Sequence, residues 1–515
     1  MDRKQTKINW VVAGLLLGMF VGALDQTIVS TAMPTVITEL GGFEHYVWVF
    51  SAYMIATVVA TPIFGKLSDI YGRKLFFQLG LVLFLIGSVL CGIAGTMTEL
   101  IVYRAIQGIG GGALMPIAFA VIFDIFPPEK RGKMNGLFGA VFGLSSVFGP
   151  ALGAYITDYI DWRWVFYINL PIGLVAFLLM HLGYREKPAL RKQTIDWGGA
   201  TTLVLAILGF MFAIELAGSE TYAWGSWQII GLFLLFVVCF LLFLAIERKV
   251  ADPIVELKLF KSRLFTASQA IGFLYGIIMV SGATYIPLFI QGVYGESASA
   301  AGQTLTPMML AVVASSMLGG PLVNKMSYRG IMLISTLILA VSMALLGTMT
   351  VDTPRWTVTL YMVLVGFGIG VNFVVLNISV LHGLPGQYKG AAISLITFFR
   401  TIGSALGVTV LGVVQKVDYK ARVEAALPDP AAASQFSDPK ALLIPQVRAA
   451  LPPDIVANAT KALAGSISYL FLISILIIVV GFVFVMMLGK ARMELPSAAA
   501  KGDKGNLEPG PVGHM

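Results

Sequence analysis

The chain has 515 residues, 57% of them hydrophobic and 12% charged, with 35 Lys and Arg against 27 Asp and Glu. A water-soluble domain carries about 25% charge, so a soluble globular fold is excluded, and two cysteines are too few for a disulfide framework. The net charge of +8 suggests a nucleic-acid partner only until the placement of the charges is considered.

Apolar runs of about 20 residues cross a bilayer. They fall at 10–34, 45–64, 75–96, 99–124, 134–157, 164–183, 197–217, 227–247, 264–291, 300–323, 330–350, 356–380, 389–415 and 466–489. Backbone groups in lipid must pair within their own segment. The runs therefore predict an all-α membrane protein of 14 transmembrane helices, helix 1 to helix 14. The basic start MDRKQTK precedes an apolar run too long for a cleavable signal. With the N-terminus in the cytoplasm, 25 of the 35 Lys and Arg fall in inner segments, and Arg104 and Arg400 lie within helices. Outside are Arg163, Arg355 and the basic residues of a long loop, 416–465. The positive-inside rule thus assigns the basic balance to topology, with both termini cytoplasmic and no nucleic acid as partner. Trp10 and Trp197 at inner ends, and Trp48, Trp162, Trp164, Trp224, Trp227 and Trp356 at outer ends, read as an aromatic belt. Cys91 and Cys239 read as packing residues.

An ionisable side chain at membrane depth costs about 2.5–3.5 kcal/mol on insertion scales and is a functional candidate for that reason. In chain order these are Asp25 in helix 1, Arg104 in helix 4, Glu215 near the outer end of helix 7 and Arg400 near the middle of helix 13. At 1.5 Å per residue, Asp25 stands roughly 22 Å above its inner helix end and Arg104 roughly 30 Å above its own, within reach of each other. A carboxylate beside a guanidinium stays ionised, and one left alone in an apolar setting takes up a proton; a fixed structural ion pair is the plainer reading. Between helices 2 and 3 lies GKLSDIYGRK (65–74), read as a charged loop. Helix 4 holds YRAIQGIGGGALMP, with Gln107 on the Arg104 face, and helix 5 holds GAVFGLSSVFGPALG. Glu215 is either a proton carrier or an interfacial, solvated acid.

Four motifs in order resemble the major facilitator superfamily, in particular its fourteen-helix drug:proton antiporter branch. Gly65, Asp69, Gly72, Arg73 and Lys74 match the loop signature G-x-x-x-D-x-x-G-R-K. Leu24, Asp25, Thr27, Ile28, Val29, Ala32 and Pro34 match the first-helix signature of that branch, and Arg104, Gln107, Gly108 and Gly110 match R-x-x-Q-G-x-G. Gly139, Gly143, Gly149, Pro150 and Gly153 resemble the antiporter motif, with Ser145 where a glycine completes the usual form. The stretch FFRTIGSALGVTVLG around Arg400 resembles another segment of the branch. The resemblance implies two six-helix bundles, 1–190 and 261–490, separated by inserted helices 7 and 8 (191–260), with a disordered tail at 491–515. GPLVNKMSYRG (320–330) faintly echoes 65–74, as parallel repeats require.

The resemblance further implies a bacterial cytoplasmic-membrane exporter of amphipathic, aromatic or cationic compounds, acting as a monomer and exchanging substrate for protons. Asp25, Arg104 and Glu215 are then expected to couple protons. Asp69, Arg73, Asp124 and Arg131 are expected to latch the inner face, and Gly143, Gly149, Pro150 and Gly153 to let the two halves pack closely. Polar groups at membrane depth nominate Gln26, Gln107, Tyr275, Gln291, Asn372, Asn377 and Arg400 as cavity residues, with Met115 and Phe398 as an apolar wall. No phosphate loop G-x-x-x-x-G-K-[ST] stands in the chain, and neither H-E-x-x-H nor paired Cys-x-x-Cys suggests a metal. The chain is expected to be no enzyme, without cofactor or metal. The loop 416–465, with an Asn458-Ala459-Thr460 sequon, reads as a lid or as a solvated connection. Two further readings stay open: export of a lipid or other envelope metabolite on the same fold, and a non-transporting receptor or scaffold.

Overall fold

The computed structural model of the chain describes residues 7–41, 45, 47–186, 196–217, 222–296, 298–385, 388–426, 448 and 452–492. The fourteen predicted spans are helices: α1 Ile8–Leu40, α2 Val47–Tyr71, α3 Arg73–Gly92, α4 Met97–Ile125, α5 Pro128–Tyr159, α6 Asn169–Gly183 after the single turn Trp164–Tyr167, α7 Trp197–Leu216, α8 Trp227–Glu247, α9 Arg263–Gly292, α10 Ala298–Lys325, α11 Tyr328–Leu346, α12 Arg355–Ser379, α13 Lys389–Ala426 and α14 Pro453–Met487. Each of the fourteen, α6 together with the turn before it as Trp164–Gly183, is long and apolar enough to cross a membrane.

Local chemistry sets several ends. Thr96, Asp196 and Ser327 each accept a hydrogen bond from the backbone N–H three residues on, at Glu99, Gly199 and Gly330, which satisfies an orphan donor of the first turn. Pro stands in the first turn of α5 and of α14, where no donor is lost.

The boundaries correct two expectations. Residues 65–74 are not a charged loop. α2 continues through Gly65 and Asp69 to Tyr71, and α3 begins at Arg73. Gly72 alone leaves the helix, at φ 113°, a conformation that only glycine adopts without strain. The connection after α13 is also shorter than 416–465, because α13 extends to Ala426 and α14 starts at Pro453. Thr460 of the sequon lies inside α14 and bonds back to Val456 and Ala457. Residues 427–447, with Pro428, Pro430, Pro439 and Pro445, and the tail 493–515 lie outside the described residues. The aromatic belt is thinner than predicted: Trp162 is buried, whereas Trp10, Trp164, Trp197, Trp224, Trp227 and Trp356 are exposed.

Packing repeats with an offset of eight helices. In the first half α1 packs on α5 and α6, α2 on α4, and α3 on α4 and α6; in the second, α9 packs on α13 and α14, α10 on α12, and α11 on α12 and α14. The halves meet through α5 with α10 and through α2 with α13. The eight-helix offset exchanges these two contacts, as a pseudo-two-fold axis between parallel repeats requires. α7 packs on α8 and touches α2 and α13, one helix from each half. The packing yields two six-helix bundles with an inserted pair.

Candidate functional site

A fully buried polar cluster lies inside the first half. Asp25, Arg104, Gln107, Ser88 and Asn169 are all at most 1% exposed. Arg104 Nη1 donates to Asp25 Oδ2 at 2.5 Å and to Gln107 Oε1 at 2.6 Å. Gln107 Nε2 donates to Asp25 Oδ1 at 2.8 Å and to Ser88 Oγ at 2.7 Å, and Asn169 Nδ2 donates to the same two oxygens at 3.2 and 3.0 Å. Arg104 Nε reaches the Val49 carbonyl at 3.3 Å, and the guanidinium carbon sits 4.2 Å from the centre of the Tyr53 ring. The cluster thus draws on four helices: α4 and α6 donate to the carboxylate on α1, and Ser88 of α3 accepts from the two amides. Buried charge is tolerable only when paired and hydrogen-bonded in this way. The approach geometry predicted for Asp25 and Arg104 is met, and Gln107 joins them rather than the cavity. Sequence reasoning missed Ser88, Asn169 and Tyr53. Asn169 had a readable signal, an amide inside an apolar run; Ser88 and Tyr53 had none.

Between the halves lies a cavity of about 330 Å³, reached by Gln26 of α1, Thr57 and Thr61 of α2, Arg104 and Met115 of α4, Phe373 of α12, and Thr397, Arg400, Thr401 and Ser404 of α13. Gln26, Met115 and Arg400, nominated from the sequence, line this cavity. Besides Gln107, four nominated polar residues are elsewhere. Tyr275 bonds Thr336 of α11 at 2.5 Å, and Asn372 accepts from Ser335 of α11 at 2.5 Å. Asn377 is buried outside this lining, and Gln291 Nε2 turns back to the Pro287 carbonyl of its own helix. The cause is helical phase: Phe373 faces the cavity, and its neighbour Asn372, about 100° around the helix, faces α11. Phe398 lines a second, lateral cavity of about 690 Å³ between the inserted pair and both halves, walled by Leu203, Phe236, Phe243, Phe399 and Phe484. α13 forms a wall of both cavities.

At the end of the bundles where α2 turns into α3, the halves are joined through Asp69. Its carboxylate accepts from Arg73 Nη2 at 3.0 Å and from the backbone N–H groups of Gly390 and Ala391, at 3.2 and 2.9 Å, in the first turn of α13. A carboxylate at a helix N-terminus is stabilised by the unpaired N–H groups there. Arg73 Nε pairs with Asp124 at 2.9 Å. Glu186 accepts from the N–H groups of Arg73 and Lys74, and Lys74 Nζ donates to the carbonyls of His181 and Tyr184. Arg131 closes the end of α4 through the Phe126 and Phe123 carbonyls. A side chain at Gly65 would collide with Ser394 of α13, and one at Gly143 with Val313 of α10. Gly149 and Gly153 instead face Thr27, Ile28 and Thr31 of α1, so only part of the glycine motif serves the contact between halves; the rest packs its own half. Glu215 is half-buried and accepts from Ser51 Oγ at 2.6 Å, so it is neither freely solvated nor part of the Asp25 cluster.

The family model described as the Major Facilitator Superfamily matches residues 15–408. Multidrug resistance protein 3 of Bacillus subtilis (strain 168) is 48% identical over 504 residues, covering 97% of this chain and 98% of its own length. Multidrug transporter protein MdtP of the same strain is 36% identical over 529 residues, with 98% and 97% covered. Among solved structures, the human organic anion transporter MFSD10 aligns with a TM-score of 0.59 at 15% identity, over 93% of this chain and 100% of its own. A proton:xylose symporter, XylE, aligns with a TM-score of 0.59 at 14% identity, over 91% and 94%. At those identities the two structures speak for the fold alone. The family-model match and the two Bacillus relatives carry the assignment: this chain belongs to the major facilitator superfamily.

Proposed function

We propose that this chain is a proton-coupled antiporter that exports amphipathic compounds across the bacterial cytoplasmic membrane by alternating access, as a monomer with both termini inside. The observation that carries the reading is the sealed cluster in which Arg104 both binds Asp25 and lines the central cavity. Ionised, Asp25 holds Arg104 through a charge-assisted hydrogen bond. Protonated, it holds the guanidinium far more weakly and frees it toward the cavity. Proton occupancy and cavity shape are thereby linked, and linkage is reciprocal. The Asp69 contact to α13 supplies the second element, a latch that holds the inner ends together in one state and must release in the other.

The names of the two Bacillus relatives support multidrug export as the substrate class, and the excess of Lys and Arg in inner segments supports the orientation. The test is uptake into inverted vesicles under an imposed pH gradient, with ethidium as a cationic dye and Nile red as a neutral one. Uptake of either that collapses on adding a proton ionophore is the expected result; gradient-independent signals for both would reject proton coupling. The lateral apolar cavity favours a second reading, export of a lipid. A fluorescent phospholipid moved in the same vesicles, with neither dye moved, would select it.

A further inference from the structure

We infer that the central cavity recognises its substrates through an anionic group, a carboxylate or its equivalent, held by Arg400 and Thr397. The inference rests on the export reading above and narrows its substrate class.

The argument begins with charge. The cavity lining contains two charged groups, Arg104 and Arg400, and no Asp, Glu, Lys or His. An adjoining space of about 190 Å³ that shares Gln26 and Phe373 adds no charge. Arg104 is neutralised by Asp25. Arg400 is only 9% exposed and, among the described residues, has no carboxylate within salt-bridge distance. The Phe373 ring lies 3.8 Å from its guanidinium carbon. That contact steadies the cation and fixes its plane, but a ring offers no lone pair for the five N–H donors of an arginine.

The second observation is independent of the first. Thr397, one helical turn before Arg400, is 8% exposed, and its buried hydroxyl has no hydrogen-bond partner. The nearby hydroxyls are already engaged: Thr401 donates to the Thr397 carbonyl, and Ser404 to the carbonyls of Gly276 and Arg400. Residues three apart share a helix face, so a guanidinium and a free hydroxyl open on the same side into the same space. One carboxylate satisfies both, through charge-assisted hydrogen bonds stronger than neutral ones. Met19, Met54, Leu114, Met115 and Met279 line the rest, a soft wall suited to varied apolar bodies. Zwitterions fit the same site through their acidic group. Monocations, expected from the sequence, meet an uncompensated positive charge.

The test compares three probes built on one ring system: anthracene-9-carboxylate, 9-anthracenemethanol and (9-anthracenylmethyl)trimethylammonium. Binding to the full chain in phosphatidylcholine nanodiscs is read by fluorescence titration. The wild type is expected to bind the carboxylate about tenfold more tightly than the ammonium, as one charge-assisted bond allows. Arg400→Gln should lower carboxylate affinity about tenfold and leave the alcohol unchanged, with Arg400→Lys recovering part of the loss. Thr397→Val should cost the carboxylate a few-fold and the alcohol nothing. A wild type that binds the ammonium as well as the carboxylate overturns the inference, as does a carboxylate preference that survives Arg400→Gln. If the arginine variants fail to insert, the wild-type ranking and Thr397→Val decide. Carboxylate selectivity without gradient-driven movement of any probe would leave this inference standing and reject the export reading.

Discussion

Asp25 and Arg104 are joined twice, once directly at 2.5 Å and once through Gln107, whose amide accepts from Arg104 at 2.6 Å and donates to Asp25 at 2.8 Å. The three side chains close a ring in which moving one disturbs the other two. Because the ring is fully buried, removing one partner leaves the other charge uncompensated, at a cost of about 3–5 kcal/mol. Arg104→Ala is therefore expected to cut gradient-driven dye transport at least about tenfold. Adding Asp25→Asn to it should cost little more, since residues of one network are non-additive. Initial rates in vesicles at matched expression measure this; losses that multiply would show two independent residues.

Asn169 of α6 donates to the carboxylate, and Ser88 of α3 supports it indirectly by accepting from both Asn169 and Gln107. Asn169→Ala removes one donor to Asp25 and one to Ser88, and Ser88→Ala removes the oxygen that Gln107 and Asn169 share. A typical hydrogen bond is worth about 0.5–1.5 kcal/mol net, so transport should fall about threefold to tenfold for Asn169→Ala and less for Ser88→Ala. Because these residues position Asp25, both variants should also displace the pH profile of transport. A profile that keeps its midpoint while its amplitude falls would mark them as packing residues only.

In the proposed cycle, the Asp69 contact to α13 is the latch that releases or closes the inner ends. Asp69→Ala deletes the hydrogen bonds from Gly390, Ala391 and Arg73, and Gly65→Leu drives a side chain into Ser394. Both should shift the population toward an inward-open form, by about tenfold or more for each charged bond lost. The reporter is a cysteine replacing Thr401, which lines the central cavity, in a chain lacking Cys91 and Cys239. Its labelling by a membrane-impermeant maleimide should accelerate from the inner side in both variants. Unchanged rates would mean that the latch does not control access.

Outside the membrane, Glu39 ties α1 to the turn before α6. Arg163 bonds it at 2.7 Å and Trp162 Nε1 donates to it at 2.7 Å, which holds its carboxyl below the usual carboxylate range, chiefly through the Arg163 bond. A depressed folded value means a contribution present at neutral pH and lost only as the pH falls through the acid range below about 4.5. The transport profile between pH 5 and 8 therefore owes nothing to this pair. Glu39→Gln should leave that profile in place; a displaced midpoint would assign part of the coupling to the outer surface.

The number and order of the helices were legible because hydrophobic length is a direct physical requirement of the bilayer. Asp25, Arg104 and Gln107 were legible because charge at that depth needs a partner and a three-residue spacing on α4 supplies one. Helical phase was not. Asn372 and Phe373 are adjacent in the chain, and only tertiary packing says which of them meets the cavity. Tyr275 and Gln291 failed for the same reason. The stretch 65–74 read as a loop because its composition is that of one, yet a single glycine with positive φ is enough to turn the chain between two continuous helices. The separation of Phe398 from Arg400 into two cavities follows from their spacing on α13, but the presence of a second cavity depends on where α7 and α8 pack.

The most direct test of the account separates exchange from coupling in a single variant. Asp25→Asn keeps the size of the side chain and one acceptor oxygen within the cluster while removing the group that is proposed to carry the proton. In proteoliposomes the variant should retain substrate counterflow, which needs binding and alternating access but no net proton movement, at close to the wild-type rate. It should lose substrate accumulation driven by a pH gradient. Accumulation that persists in Asp25→Asn would contradict the central claim and move the proton site elsewhere, with Glu215 the next candidate.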